Sequence, residues 1–262
     1  MVAAVFLSDL SRIGQRFNSD ASRRRSIRRL NVAETSERPV SSPLHGRRVG
    51  KPLAKYQRVL VDTLLPRLAV DITAPIPDAA ALFAHQPDAV WLEVGFGGGE
   101  HLLNAATLHP DVGLIGCEPF LNGMARALAD LAAADLDNIR LHCGDAGALI
   151  DALPPASIAR LFLFYPDPWP KRRQHKRRFI SDAMLVRLAR VMKSGAELRF
   201  ATDIDDICGW TLARLLRSPD FAWVAEAAAD WQYPWPEWVG TRYEQKATAE
   251  GRRVCYITAI RR

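Results

Sequence analysis

Short apolar runs alternate with helix-period stretches along most of the chain. Residues 90–94, 112–117, 139–142, 160–165 and 197–201 are near-continuous apolar runs, the signature of strands buried on both faces. Between them, 101–108, 121–131, 179–191 and 207–216 repeat apolar positions at three- and four-residue spacing, which predicts helices. Strand–helix alternation of this kind gives an α/β fold, a doubly wound, mostly parallel sheet with helices on both faces. Two further runs, 221–225 and 254–260, read as strands joined by a long non-helical loop, an antiparallel pair at one sheet edge. Upstream, Leu60, Leu64, Leu65 and Leu68 mark an amphipathic helix over 55–68. No internal repeat is visible, and 46–262 reads as one domain.

Composition adds limits. At 262 residues, 48% apolar and 24% charged, the chain has enough length for a substantial core. Its longest apolar runs are far too short to span a bilayer. The four cysteines (Cys117, Cys143, Cys208, Cys255) include no CxxC pair, so neither a disulfide framework nor a zinc site is expected and a reducing, cytoplasmic setting follows. His101, His109, His142 and His175 show no metal spacing, read as core or solvated histidines, and no metal is proposed.

Charge changes the picture more. Residues 1–55 hold 12 Lys/Arg against 4 Asp/Glu, and 171–178 alone carry six cations within an otherwise acidic body. Two basic patches of this kind suit a polyanionic partner, nucleic acid above all. Residues 1–45, rich in Ser and Arg, read as a poorly ordered basic arm.

The chemistry begins after the first strand. Glu93, Gly95, Gly97, Gly98 and Gly99 form an acidic-x-Gly-x-Gly-Gly-Gly turn leading into a helix. Glycines there let backbone approach a ligand. A dinucleotide fingerprint fails, because its third glycine position is Glu100. The spacing fits the S-adenosylmethionine (SAM) methyltransferase turn instead. Glu118, Asp145 and Asp167 follow the next three strands, so four acids collect at the carboxyl edge, where open α/β sheets bind ligands. A single acid of this sort is more often a helix cap. Four in register point to a ligand, and the lack of a phosphate-binding lysine favours a cationic sulfonium.

The stretch 161–178 is the most specific. Pro166, Pro168 and Pro170 stiffen the chain around Asp167 and Trp169, and the cations Lys171, Arg172, Arg173, Lys176, Arg177 and Arg178 follow at once. This (F/Y)PDPW run with its basic cluster resembles the bacterial tRNA (guanine-N7-)-methyltransferase family. The turn at 93–99, the Ala201, Thr202, Asp203 block and the Thr241, Arg242, Tyr243, Glu244 block resemble that family's other motifs, in order, over residues 45–262. Pro119 and Phe120 depart from the family pattern near the ribose side. Residues 1–40 have no counterpart.

The resemblance implies a Rossmann-like methyltransferase sheet and methyl transfer from SAM to N7 of guanosine 46 in the variable loop of tRNA. It implies that Glu93, Gly95, Gly97, Gly99, Glu118, Asp145 and Asp167 bind SAM and that Asp167 is the catalytic acid. Lys171, Asp203, Thr241, Arg242, Tyr243 and Glu244 take substrate-binding roles, and Arg173, Lys176, Arg177 and Arg178 contact RNA. The enzyme is expected to act as a monomer or homodimer.

Guanine N7 needs no deprotonation, so alignment and charge suffice. Either Asp203 or Glu244 reads the guanine edge. Trp169, or the cluster Trp231, Tyr233, Trp235 and Trp238, offers a face for a flipped base, although Trp–Pro loop packing explains that cluster equally well. Competing readings are an amine methyltransferase, which favours adjacent prolines beside the acid, an RNA chaperone on a relict fold, and an NAD-binding module.

Overall fold

Seven strands, numbered in chain order, run in the order β3-β2-β1-β4-β5-β7-β6, and the first five run parallel to one another. The structure is a computed structural model that describes residues 50–134 and 136–262; the expected basic arm lies outside the described residues. The strands are β1 (Ala89–Val94), β2 (Val112–Cys117), β3 (Ile139–His142), β4 (Ile158–Phe164), β5 (Met192–Thr202), β6 (Phe221–Trp223) and β7 (Cys255–Arg261). β7 lies antiparallel between β5 and β6. The doubly wound sheet with an antiparallel edge pair is as the sequence pattern predicts.

Helices α1 (Lys55–Thr63), α2 (Leu65–Leu68), α3 (Glu100–Leu108), α4 (Leu121–Ala132), α5 (Ala146–Ala152), α6 (Asp182–Val191), α7 (Asp205–Arg217), α8 (Ala229–Gln232) and α9 (Arg242–Ala249) complete the chain. α4 shows why they form: Met124, Ala127, Leu128 and Leu131 are buried on one stripe, and they join Leu102, Leu114, Ile139 and Phe162 in the core. Burying that stripe offsets the entropy of ordering the helix.

Several expectations need correction. The helix expected over 55–68 is broken into α1 and α2, because Pro66 has no N–H to continue the ladder and sits in the first turn of α2. β5 begins five residues earlier than its apolar run, since Met192 pairs with Ile158 ahead of a register shift. The loop from 224 to 254 is not non-helical: it contains α8 and α9. α9 buries only Ala247, so it lacks the apolar stripe by which a helix is recognised. Cys208 of α7 and Cys255 of β7 form a disulfide, contrary to the expectation from spacing; packing of α7 on the closing strand brings them together across 47 residues of sequence.

Leu92 lies in the central strand β1, between β2 and β4, and has no exposed surface. Leu92→Ala is expected to cost about 2–5 kcal/mol of stability, measured by urea unfolding, without changing the order of the strands.

Candidate active site

The parallel strands deliver their carboxyl ends to one edge, and the candidate residues sit there. Glu93 lies next to last in β1, paired in register with Gly116 of β2 and Phe162 of β4. The turn that follows has Gly95, Gly97 and Gly99 at φ of 73°, 60° and 86°, left-handed values that residues with a Cβ rarely adopt. Around Gly95 an added Cβ would meet nothing within 4 Å, so the turn borders open space and forms a cradle.

Glu118 holds this turn in place. Its Oε2 accepts from the Gly97 N–H at 2.7 Å, and its Oε1 accepts from the Phe120 N–H at 2.8 Å. The residue is only 7% exposed. Burial pushes its carboxyl above the ordinary value of 4.5, the two N–H donors pull it back, and the negative charges of Asp167 and Glu93 add to the rise. Glu118 thus lies within reach of both neighbouring acids. Gly123 of α4 backs the turn from behind: a Cβ there would sit 2.4 Å from the Gly97 carbonyl oxygen.

Glu93 is deeper, at 3% exposure, with Oε2 2.7 Å from His101 Nδ1. His101 is thus a core histidine, as its lack of metal spacing suggests. Asp145 caps α5, accepting from the Ala148 N–H at 2.9 Å, which is the common role for an acid at that position. Asp167 stands beyond β4 on an exposed loop, yet protein crowding its carboxylate raises it above its ordinary value of 3.8. The loop is strained on both sides of it: Tyr165 and Trp169 have φ of 49° and 42°, a conformation that costs energy outside glycine and clusters at functional sites.

The 241–244 block folds over the same turn. Thr241 caps α9 by accepting from the Glu244 N–H at 3.2 Å. Arg242 Nε pairs with Glu100 Oε1 at 2.6 Å, at the start of α3. Tyr243, 58% exposed, stacks on Tyr165 with ring centroids 6.1 Å apart. Glu244 is engaged, accepting from Trp238 Nε1 and the Tyr256 hydroxyl, each at 2.5 Å. Asp203, after β5, pairs with Arg252. Glycine turn, strand-end acids and the 241–244 block, scattered over 150 residues of sequence, are brought together.

Two expectations change here. Arg178 is 4% exposed: it pairs with Asp206, donates from Nε to the Pro168 carbonyl at 3.1 Å and lies over the Trp210 ring. A buried, bonded guanidinium braces the proline loop and does not face RNA. Arg173 and Lys176 are exposed, while Arg177 covers the Trp169 ring at 5.0 Å. Trp235 and Trp238 pack with Phe164 and Tyr256, so loop packing accounts for that half of the aromatic cluster. Two contacts that sequence reasoning missed are Tyr165 on Tyr243 and His101 on Glu93. For Tyr165 the signal was an aromatic ending the fourth strand; for His101 it was a polar side chain in the first turn of a helix, which points back toward the strand end.

A strand-end site behind a glycine turn, on this sheet order, defines an α/β methyltransferase, and residues 87–257 match the family model described as "Putative methyltransferase". The chain belongs to the tRNA (guanine-N(7)-)-methyltransferase family. It is 53% identical over 213 residues to the tRNA (guanine-N(7)-)-methyltransferase of Rhodopseudomonas palustris (strain BisB18), covering 81% of this chain and 85% of that one. The Brucella anthropi enzyme of the same name is 53% identical over 83% of this chain and 94% of its own. That of Chelativorans sp. (strain BNC1) is 48% identical over 88% of this chain and its whole length.

Two predictions follow from the cradle. Gly123→Ala displaces the Gly97 carbonyl and weakens SAM binding by about tenfold or more in calorimetry, a loss of roughly 1.4 kcal/mol. Lowering the pH from about 7 to about 5 protonates Glu118 earlier than an ordinary carboxylate and weakens SAM binding. The same raised value works in the opposite sense for folding. A buried acid that favours its neutral form adds stability as the pH falls, so the contribution of Glu118 to folding and its contribution to SAM binding move in opposite directions.

Proposed function

We propose that the protein transfers a methyl group from SAM to N7 of guanosine 46 in the variable loop of tRNA. The observation that supports this most is convergence: the strand-end acids and the 241–244 block meet around the glycine turn, beside the strained loop that carries Asp167. The acidic edge and the open cradle at Gly95 suit SAM, which is cationic and has no phosphate. When bound, SAM supplies an electrophilic methyl on a positively charged sulfur.

The chain's own groups then have two tasks. Guanine N7 presents a lone pair at neutral pH, so the site aligns the nucleophile and needs no base. Asp167 provides both orientation and a negative charge against the cation that develops on the purine. Its stiff backbone, held by three prolines and by Arg178 on the Pro168 carbonyl, keeps that charge in place. Of the two acids that the sequence offers for the guanine edge, Asp203 is the better candidate. Both Glu244 oxygens already hold Trp238 and Tyr256, whereas Asp203 pairs with Arg252, whose side chain is 33% exposed and also pairs with Glu250. Tyr243, stacked on Tyr165 and largely exposed, offers aromatic surface to a base. Lys171, Arg172, Arg173 and Lys176 are exposed on one short 3-10 segment and its approach, suited to phosphate contacts that add affinity and little sequence information.

The proposal is tested with labelled SAM and a tRNA transcript, followed by nucleoside digestion. Label is expected in 7-methylguanosine and lost when guanosine 46 is replaced; label in another nucleoside overturns the assignment. Asp167→Asn is expected to slow single-turnover transfer by about a hundredfold. Replacing Arg172, Arg173 and Lys176 with alanine should weaken tRNA binding and reduce the slope of log affinity against log salt by roughly two to three. An unchanged slope removes this segment from the interface.

A further inference from the structure

His101 sits behind the cofactor edge and has no assigned part in the chemistry. It is the second residue of α3, directly after the glycine turn, and its Nδ1 lies 2.7 Å from Glu93 Oε2. A carboxylate brings only acceptors, so the Nδ1–H must donate. Side-chain exposure is 11% for the histidine and 3% for the acid. The imidazole is wedged among Phe162, Phe164 and Trp238, with centroid distances of 4.6, 4.8 and 5.6 Å. A ring packed on three aromatic neighbours and bonded at one nitrogen has little freedom, and neither does the carboxylate it binds.

Glu93 needs such a partner. It is a buried acid close enough to Glu118 for its charge to bear on that group. A buried carboxylate without a donor is costly, and repulsion from Glu118 turns it away. With one oxygen fixed by His101, the other is left as the acceptor for a ligand at the strand end.

We propose that His101 is a positioning residue: through its Nδ1–H it orients the Glu93 carboxylate for the cofactor, an inference that rests on the SAM-binding reading of this edge. The prediction is specific to one nitrogen. In asparagine the amide nitrogen can occupy the place of Nδ1, in glutamine it falls nearer Nε2, and phenylalanine keeps the ring without a donor.

The test is calorimetric titration of SAM and of S-adenosylhomocysteine into the full-length protein and its variants, with the melting temperature recorded for each. His101→Phe and His101→Gln are expected to raise the dissociation constants of both ligands by about tenfold, and His101→Asn to stay within about threefold of the wild type. In a Glu93→Gln background, His101→Phe should add no further loss, since the residue acts through Glu93. The inference is overturned if His101→Phe binds like the wild type, or if His101→Asn and His101→Gln lose affinity equally. Should His101→Phe fail to fold, the comparison of the two amides decides alone. A wild-type protein that binds neither ligand overturns the SAM reading itself, and a wild type that binds while the variants follow the wrong pattern overturns only the role of His101.

Discussion

The bond from the Gly97 N–H to Glu118 ties the end of β1 to the end of β2, and the site is built around it. Three residues of the turn are in conformations that glycine enters and leaves freely; the Gly95 N–H on the Cys117 carbonyl at 2.7 Å and the Gly99 N–H on the Phe96 carbonyl at 2.9 Å fix its ends, and Glu118 holds its middle. The turn is clamped from two sides, by the Glu118 carboxylate in front and by Gly123 of α4 behind. Glu118 in turn is available only because parallel strands of matching register end at one edge. Sheet topology, helix packing and the cradle are thus successive consequences of one arrangement.

A concentration of acid, with Glu93 and Glu118 buried, is the energetic cost of this edge. The charges of Glu93 and Asp167 both bear on Glu118 in a region that water partly leaves. Each has its own compensation. Glu118 accepts two backbone N–H groups, Glu93 has His101, and Asp167 reaches solvent. The remaining negative field suits a cationic ligand and a product that gains positive charge on the purine ring. Rigidity comes from outside the edge: Arg178 pins the Pro168 carbonyl to α7 through Asp206, and Trp238 links the 241–244 block to the aromatic packing behind His101.

Much of this was legible in the sequence. The parallel strands are apolar on both faces, so their runs stand out, and an acid after each strand is visible by counting. What was not legible shares a cause: it depends on contacts distant in sequence. Arg178 lies in a run of six cations, and nothing in that run distinguishes the one that turns inward to Asp206. Cys208 and Cys255 are joined only because α7 packs against the closing strand. α9 escapes detection because it is held by its Thr241 cap and by Arg242 on Glu100, not by an apolar stripe. The Trp235 and Trp238 rings, which looked able to stack on a base, are occupied by Phe164, Tyr256 and Glu244.

In the proposed reaction the edge works by alignment and fixed charge and abstracts no proton from its substrate. The most direct measurement is the single-turnover rate of methyl transfer to tRNA, at saturating SAM, from about pH 7 to about pH 9. A nucleophile with a free lone pair gives a flat profile over that range. A rate that rises about tenfold per pH unit would mean that a proton must leave before the methyl moves, and would contradict both the assignment of N7 and the role given to Asp167.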